Sequence, residues 1–522
     1  MLHILNSKSR SKEEFKPLDP IERKVSMYTC GPTVYDSLHL GHARAGITPD
    51  VVRRYLEYKQ CVVRCVINFT DVDDKIIKRA LTENRDWREI TETYIDEFHR
   101  MMLALNVKPA DVYPRATQHI PEMIEIVQRL IEQKHAYAAS DGDVYFDTSS
   151  FEHYGNLSGR KLDEEEAGLS GRIDLKRLAV KKNSGDFVLW KLNKNDKEEI
   201  ARGGESVPRW PSPWGDGRPG WHLECSAMSR KYLGVPFDIH CGGQDLLFPH
   251  HEDEKAQTEC AYHDELCGRE SVRYWVHNAF VNAKARPEDQ LLSGGLVDAQ
   301  TGSVKMSKSL GNVKWLREMI WPDGPFDPMA VRMMLLSSHY RSPIIFEPAL
   351  LDEATARLNR IYNALEEIDR AASTLVDKDP ADQPDPTDRS DHENARTAFE
   401  ASMDDDFNTA GALGVIFDLV SAANQKRSGK DPKQVQADIQ SAIGYGKLIR
   451  EFLQVLGIRS DRSKAVGGAG DSDKLIELLL QVRQEARAAK QFSLSDKVRN
   501  GLKELGYEIE DLPGGKSVVK KK

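Results

Sequence analysis

MYTCGPTVYDSLHLGH, residues 27–42, reads as a strand, a turn and a helix. Tyr28 and Thr29 close an apolar run that suits a buried strand. Gly31 and Pro32 break it, and a helix is predicted to begin near His42 and to continue through RAGITPDVVRRYLEY. Such a turn aims backbone N–H groups and the positive end of a helix dipole at one point, which suits an anionic phosphate. The imidazoles of His39 and His42 add donors beside it, and Gly41 lets a nucleotide approach the backbone.

A second motif, KMSKS, stands far downstream at residues 305–309. HLGH followed by KMSKS, in that order, resembles the signature pair of class I aminoacyl-tRNA synthetases. The resemblance implies an α/β fold, a Rossmann-like doubly wound parallel sheet, that binds ATP. Gly41, His39, His42 and Lys308 would then hold ATP. His39, His42, Lys305 and Lys308 would be catalytic, with Lys308 above all meeting the charge that builds toward pyrophosphate.

At 522 residues the chain is too long for one core, so two to four domains are expected. Forty per cent hydrophobic and 30% charged residues are those of an ordinary soluble protein, and no apolar run could span a bilayer. A signal region is also missing, so the expected location is cytoplasmic. Seven cysteines without regular spacing argue for reduced thiols, some bound to metal. A net charge of −9 excludes a simple DNA-coating protein, so an RNA partner needs local basic patches. Candidates are Arg53, Arg54 and Lys59 on the first helix, residues 176–182, and Lys520, Lys521 and Lys522; a solvated face is the competing reading of each.

Along the chain, residues 62–69 read as a second buried strand and residues 71–80 open a helix with an acidic first turn. Cys61 and Cys65 are read there as small buried hydrophobes. Helical periodicity fills residues 87–133, and DGDVYFDTSSFEHYGNLSGRKL reads as a β element inserted between the halves of the nucleotide fold. Residues 238–240 read as a strand, Cys241-Gly242-Gly243 as its turn, and His251 as the start of a helix. Asp245 at that edge could accept from a ribose hydroxyl or serve as a capping carboxylate. Another strand is expected at residues 274–281. Helices dominate beyond KMSKS, and residues 376–392, loaded with Asp and Pro, read as a flexible linker. The expected organisation is therefore a first catalytic half over 1–113, a connective insertion over 114–220 and a second catalytic half over 221–282. A KMSKS and stem-contact region over 283–346, a helical bundle over 347–466 and a small C-terminal α+β unit over 467–522 follow.

No CxxC pair is present. A long-range set nevertheless exists: Cys30 in the first turn, Cys225 in WHLECSAM, and His250 and Glu254 in PHHEDE. The last two are four apart, so a helical backbone would put both on one face. Thiolate and imidazole ligands favour zinc. CGPTVYDSLHLGHAR, NFTDVDDKII, RPGWHLECSAM, GGQDLLFPHHEDE, KMSKSLGN and MDDDFNTAGAL together resemble the cysteinyl-tRNA synthetase family, from the first strand to the helical bundle. The resemblance implies one Zn²⁺ per chain on Cys30, Cys225, His250 and Glu254, with His251 and Glu252 supporting the ligands. It also implies Mg²⁺ with ATP, and L-cysteine and tRNA(Cys) as partners of a monomer.

The chemistry explains the metal. Pocket shape rejects an isostere such as serine by only about 100-fold, whereas zinc prefers a thiolate to a neutral hydroxyl. In the implied reaction the cysteine carboxylate attacks the α-phosphate of ATP, and a terminal ribose hydroxyl of tRNA then takes the acyl group. Thr70 and Trp221 would hold the amino acid's ammonium or carboxylate. Trp315, Arg341 and Lys490 are possible tRNA contacts. The family often ends in Trp-Arg after a Pro-x-Gly turn, whereas this chain reads LPGGKSVVKKK. Two rivals are a paralogous ligase joining cysteine to an amino sugar, which should lack the C-terminal helices, and a non-catalytic zinc and nucleic-acid binding protein.

Overall fold

The structure, a computed structural model, describes residues 1–160, 180–192, 207–285, 302–306, 311–320, 324–373, 386–428 and 434–462. It also describes residues 479–483, 486–487, 492–504, 507–511 and 517–521. Four strands form a parallel sheet: β1 (Lys24–Thr29), β2 (Val62–Ile67), β3 (Phe237–Gly243) and β4 (Val272–Asn278), in the order β4-β3-β1-β2. Their buried faces are nearly continuous, as expected where helices cover both sides. The chain leaves β1 toward β2 on one side and reaches β3 on the other. A crevice therefore opens at the carboxyl ends of β1 and β3, the switch point where doubly wound sheets bind ligands.

Helix α1 (Leu40–Tyr58) starts two residues ahead of the expected His42 because His39 is its N-cap. β3 does not turn at Cys241: Cys241, Gly242 and Gly243 continue the strand, paired with Val276, His277 and Asn278 of β4. A glycine pair reads as a turn in sequence, but here it allows close packing inside a sheet. β4 ends at Asn278, and a separate strand, Val281–Lys284, pairs with Ser303–Lys305 and Ile344–Phe346.

Between the halves, Ala136–Ala138, Val144–Phe146, Phe187–Leu192 and Gly217–Pro219 form an antiparallel sheet around Phe146, Phe187 and Trp190. After the catalytic region come helices Pro348–Ala372, Pro386–Asp404, Thr409–Arg427 and Val435–Val455. Leu351, Ala354, Leu358, Ile361, Leu365 and Ile368 recur at three and four residues, giving the first of these one buried stripe. The expected linker over 376–392 is corrected in part. Residues 376–385 lie outside the described residues, but 386–392 already belong to a helix. Its Pro386 occupies a position where a missing N–H costs nothing, and Tyr445 anchors it through Asp391 and the ring of His392.

The chain divides into two compact units, Met1–Ser460 and Asp461–Lys522. The second contains helix Phe492–Glu504 and the antiparallel strands Tyr507–Asp511 and Ser517–Lys521. Lys490 and Lys522 lie outside the described residues, as do residues 176–179. No helix among the described residues is long and apolar enough to cross a membrane.

The first-helix cations do not form the free basic face considered above. Arg53 pairs with Glu57 and Asp111, Arg54 with Asp50, and Lys59 with Glu400 and Asp404. Sequence shows the cations of a helix, but their carboxylates come largely from distant segments.

One turn tolerates no side chain. A β-carbon at Gly31 would lie 1.7 Å from the carbonyl oxygen of Asn68 in the neighbouring segment. Gly31→Ala must therefore spread the ends of β1 and β2. The expected loss of stability is about 1–3 kcal/mol, read by thermal unfolding, together with weaker metal binding because Cys30 is the adjacent residue. Parent-like values for both would show that the turn relaxes freely.

Candidate active site and metal centre

Cys30 follows β1 at the switch point, and its N–H donates to the carbonyl of Cys241 at 3.2 Å. Cys225 comes from α2 (Trp221–Leu233), the helix that follows the inserted sheet. His250 lies in a π-type turn, Leu247–His251, that runs into α3 (Glu252–Ala261), which carries Glu254 in its first turn. Cys30 Sγ lies 3.5 Å from Cys225 Sγ, 3.6 Å from His250 Nε2 and 3.3 Å from Glu254 Oε1. Cys225 Sγ lies 3.6 Å from His250 Nε2, which is 2.8 Å from Glu254 Oε1. Most of these separations match the edges, about 3.3–3.8 Å, of a tetrahedron around an ion with bonds of about 2.0–2.3 Å. All four groups can meet on one ion. The donors fit zinc chemically: two soft thiols, an imidazole and a carboxylate, removed from water.

The electrostatics fit a cation. Burial favours the neutral form of Glu254, yet His240 and His250 hold its carboxyl well below the usual range. Burial opposes charge on His250 as well, but Glu254 and Cys225 raise it to about 10. Burial and the neighbouring Cys225 push the Cys30 thiol up, whereas Cys225, despite burial, is held down to about 7 by hydrogen bonds from Cys30 and His250.

The sequence reading did not single out His240. Its Nε2 lies 2.9 Å from Glu254 Oε2 and its ring stacks on Trp275. His251, read as a supporting group, places Nε2 3.3 Å from Cys30 Sγ and Nδ1 2.8 Å from His277 Nε2. Cys30, His240, His251 and Glu254 thus make a second set able to meet on one ion, sharing two members with the first. The signal for His240 was present: a lone imidazole in the buried strand FDIHC needs a polar partner.

HLGH lies at the same edge of the sheet. His39 Nδ1 accepts from the N–H of Gly41 at 3.1 Å, and His42 Nδ1 accepts from the N–H of His39 at 3.1 Å. An accepting Nδ1 carries no proton, so each ring holds its proton on Nε2 as a donor. The rings stack with centroids 3.9 Å apart. A β-carbon at Gly41 would come within 2.8 Å of His39 Cε1, so glycine keeps the stack in place. The segment after KMSKS docks here: the N–H of Leu40 donates to the Lys314 carbonyl, and that of Leu316 to Leu38. Trp315 bridges to His39 in this pairing. Lys305 ends strand Ser303–Lys305, and Lys308 lies outside the described residues.

Two expected groups, Trp221 and Thr70, fall beside the metal set. Trp221 is 38% exposed and stacks on His250 at 4.0 Å. Thr70 is buried, its hydroxyl donating to Glu224 Oε2 at 2.8 Å. Asp245 is exposed in the turn after β3. Arg341 donates to the carbonyl of Leu5 at 3.3 Å.

Residues 15–356 match the family model for the class I (C) tRNA synthetase catalytic domain, and residues 398–460 match a DALR domain. The cysteine-tRNA ligase of Thermococcus onnurineus (strain NA1) is 44% identical over 520 residues, covering 98% of each chain.

This chain belongs to the cysteine-tRNA ligase family.

That of Actinobacillus pleuropneumoniae serotype 5b (strain L20) is 41% identical over 518 residues, 99% of each. A cysteine-tRNA ligase is an aminoacyl-tRNA synthetase, and the fold agrees. Mycobacterium tuberculosis methionyl-tRNA synthetase, solved with methionyl-adenylate, superposes with a TM-score of 0.57 at 16% identity, covering 88% of this chain and 94% of its own.

Proposed function

We propose that this protein activates L-cysteine with ATP to cysteinyl-adenylate and passes the acyl group to the 3′-terminal adenosine of tRNA(Cys). The reading rests on one observation: Cys30, Cys225, His250 and Glu254 converge at the switch point that also carries HLGH. Zn²⁺ in that cradle would supply a Lewis acid that favours a thiolate over a neutral hydroxyl, and so cysteine over serine.

The chain's own residues do the rest. His39 and His42 offer Nε2–H donors to ATP phosphates at the start of α1, where the helix dipole adds positive potential. Lys305 and Lys308 meet the charge that develops toward pyrophosphate, with Mg²⁺ accompanying ATP. Asp245 accepts from the ribose. Trp221, over His250, closes the amino-acid pocket; Thr70, with Glu224, forms its polar floor. The insertion over 114–220, the stem-contact region over 283–346, the bundle over 347–466 and the unit over 467–522 would serve the tRNA. The protein would work as a cytoplasmic monomer.

The test is ATP-pyrophosphate exchange on the zinc-loaded enzyme. Exchange should require cysteine and should prefer it over serine by more than the roughly 100-fold that shape supplies. Exchange that is absent, or that serine supports equally, would overturn the reading.

A further inference from the structure

A metal-binding imidazole must present a lone pair, so something must hold the proton on its other nitrogen. His250 directs Nε2 to the thiols and the Glu254 carboxylate, leaving Nδ1 to be held. That Nδ1 lies 3.1 Å from His222 Nδ1. His222 in turn places Nε2 3.2 Å from Asp253 Oδ2. Asp253 is buried, and its other oxygen accepts from the hydroxyl of Tyr154.

We propose that Tyr154, Asp253 and His222 form a positioning relay that fixes the tautomer of His250 and so tunes the metal centre from the inserted region. The proton placement follows in one direction. A metal on Nε2 of His250 leaves that ring's proton on Nδ1, which donates to the lone pair of His222 Nδ1 3.1 Å away. His222 then carries its own proton on Nε2, where a carboxyl oxygen of Asp253 stands 3.2 Å away to accept it. Tyr154 belongs to the segment between the inserted strands, and Phe187 of the inserted sheet sets its ring edge-on against His222. The relay therefore ties the insertion to the metal without supplying a ligand. His222 and Asp253 are interspersed among the ligands Cys225, His250 and Glu254 along the sequence, which is why motif spacing alone does not separate the two roles.

This inference rests on the metal reading above, and its test separates the two. Zinc affinity is measured by competition with a chromogenic chelator, and Co²⁺ replaces zinc so that its visible absorption reports ligand geometry. Asp253→Asn keeps the shape but can donate to His222 and reverse the relay. Its zinc affinity should fall by about 10–100-fold, as loss of such outer partners typically does, with an altered Co²⁺ spectrum. His222→Leu should do the same. His222→Asn, whose amide oxygen can stand where Nδ1 stood, should recover most of the affinity, which a merely structural role would not produce. A parent chain that binds no metal overturns the metal reading and the relay together. A parent that binds, with His222→Leu matching it within twofold and an unchanged Co²⁺ spectrum, overturns the relay alone.

Discussion

Cys225→Ala is expected to remove metal binding and to reduce cysteine-dependent ATP-pyrophosphate exchange by roughly 1,000-fold or more, a barrier increase of about 4 kcal/mol. Cys225 is 1% exposed on α2, and its sulfur stands 3.5 Å from Cys30 Sγ and 3.6 Å from His250 Nε2. Alanine removes one of two soft donors and leaves the others to satisfy each other: His250 already lies 2.8 Å from Glu254, and the pair can close on itself. The helix should persist, because alanine is its best former. Unchanged far-ultraviolet circular dichroism with lost metal and lost exchange is the expected combination. Metal retained with exchange lost would place the ion elsewhere, the alternative set of Cys30, His240, His251 and Glu254 being the first place to look. Exchange retained would separate catalysis from the metal.

Arg332→Met should give the largest loss of stability, about 3–5 kcal/mol, because it leaves a carboxylate buried with its main partner removed. Arg332 lies in Pro328–Leu336, has no solvent exposure, and pairs with Asp50 of α1. It also donates to the carbonyls of Leu105 at 2.9 Å and Leu456 at 2.8 Å. One guanidinium thus joins the first catalytic helix, the loop behind the sheet and the end of the last bundle helix. Asp50 also accepts from Arg54 at 2.8 Å and from the N–H of Lys108 at 2.8 Å. Unfolding in urea measures the loss. The double variant Asp50→Asn with Arg332→Met should recover part of it, since the buried carboxylate charge goes with its partner, and only part, since Arg54 then loses its acid. A single variant within about 1 kcal/mol of the parent would mean that Arg54 alone neutralises Asp50 and that Arg332 is dispensable to the pairing.

Much of the site is legible in one dimension because its parts are local. The apolar run at residues 25–29, the Gly-Pro break and the imidazoles of HLGH are neighbours in the chain, and their strand-turn-helix reading follows from local backbone preferences. His250 and Glu254 share a face through simple helical spacing. Other features are not local. His240 looks like one polar residue in a strand until Glu254 packs against it. Arg53, Arg54 and Lys59 look like a basic face until Asp111, Glu400 and Asp404 arrive from elsewhere. Residues 386–392 look like a linker because Asp and Pro dominate, while the contacts with Tyr445 that order them lie far along the chain.

Adjacent residues alone therefore decide that the chain carries a strand-turn-helix segment over residues 27–42, a helical pairing of His250 with Glu254 and amphipathic helices behind them, since motif identity and periodicity belong to neighbouring positions. Strand order belongs to the tertiary structure. Only when β3 lies beside β1 do Cys30 and Glu254 come within 3.3 Å, across more than two hundred residues of chain. The same packing decides which of several nearby histidines face the thiols of Cys30 and Cys225 and which contact those histidines in turn, because hydrogen-bond geometry depends on distances that sequence separation does not encode.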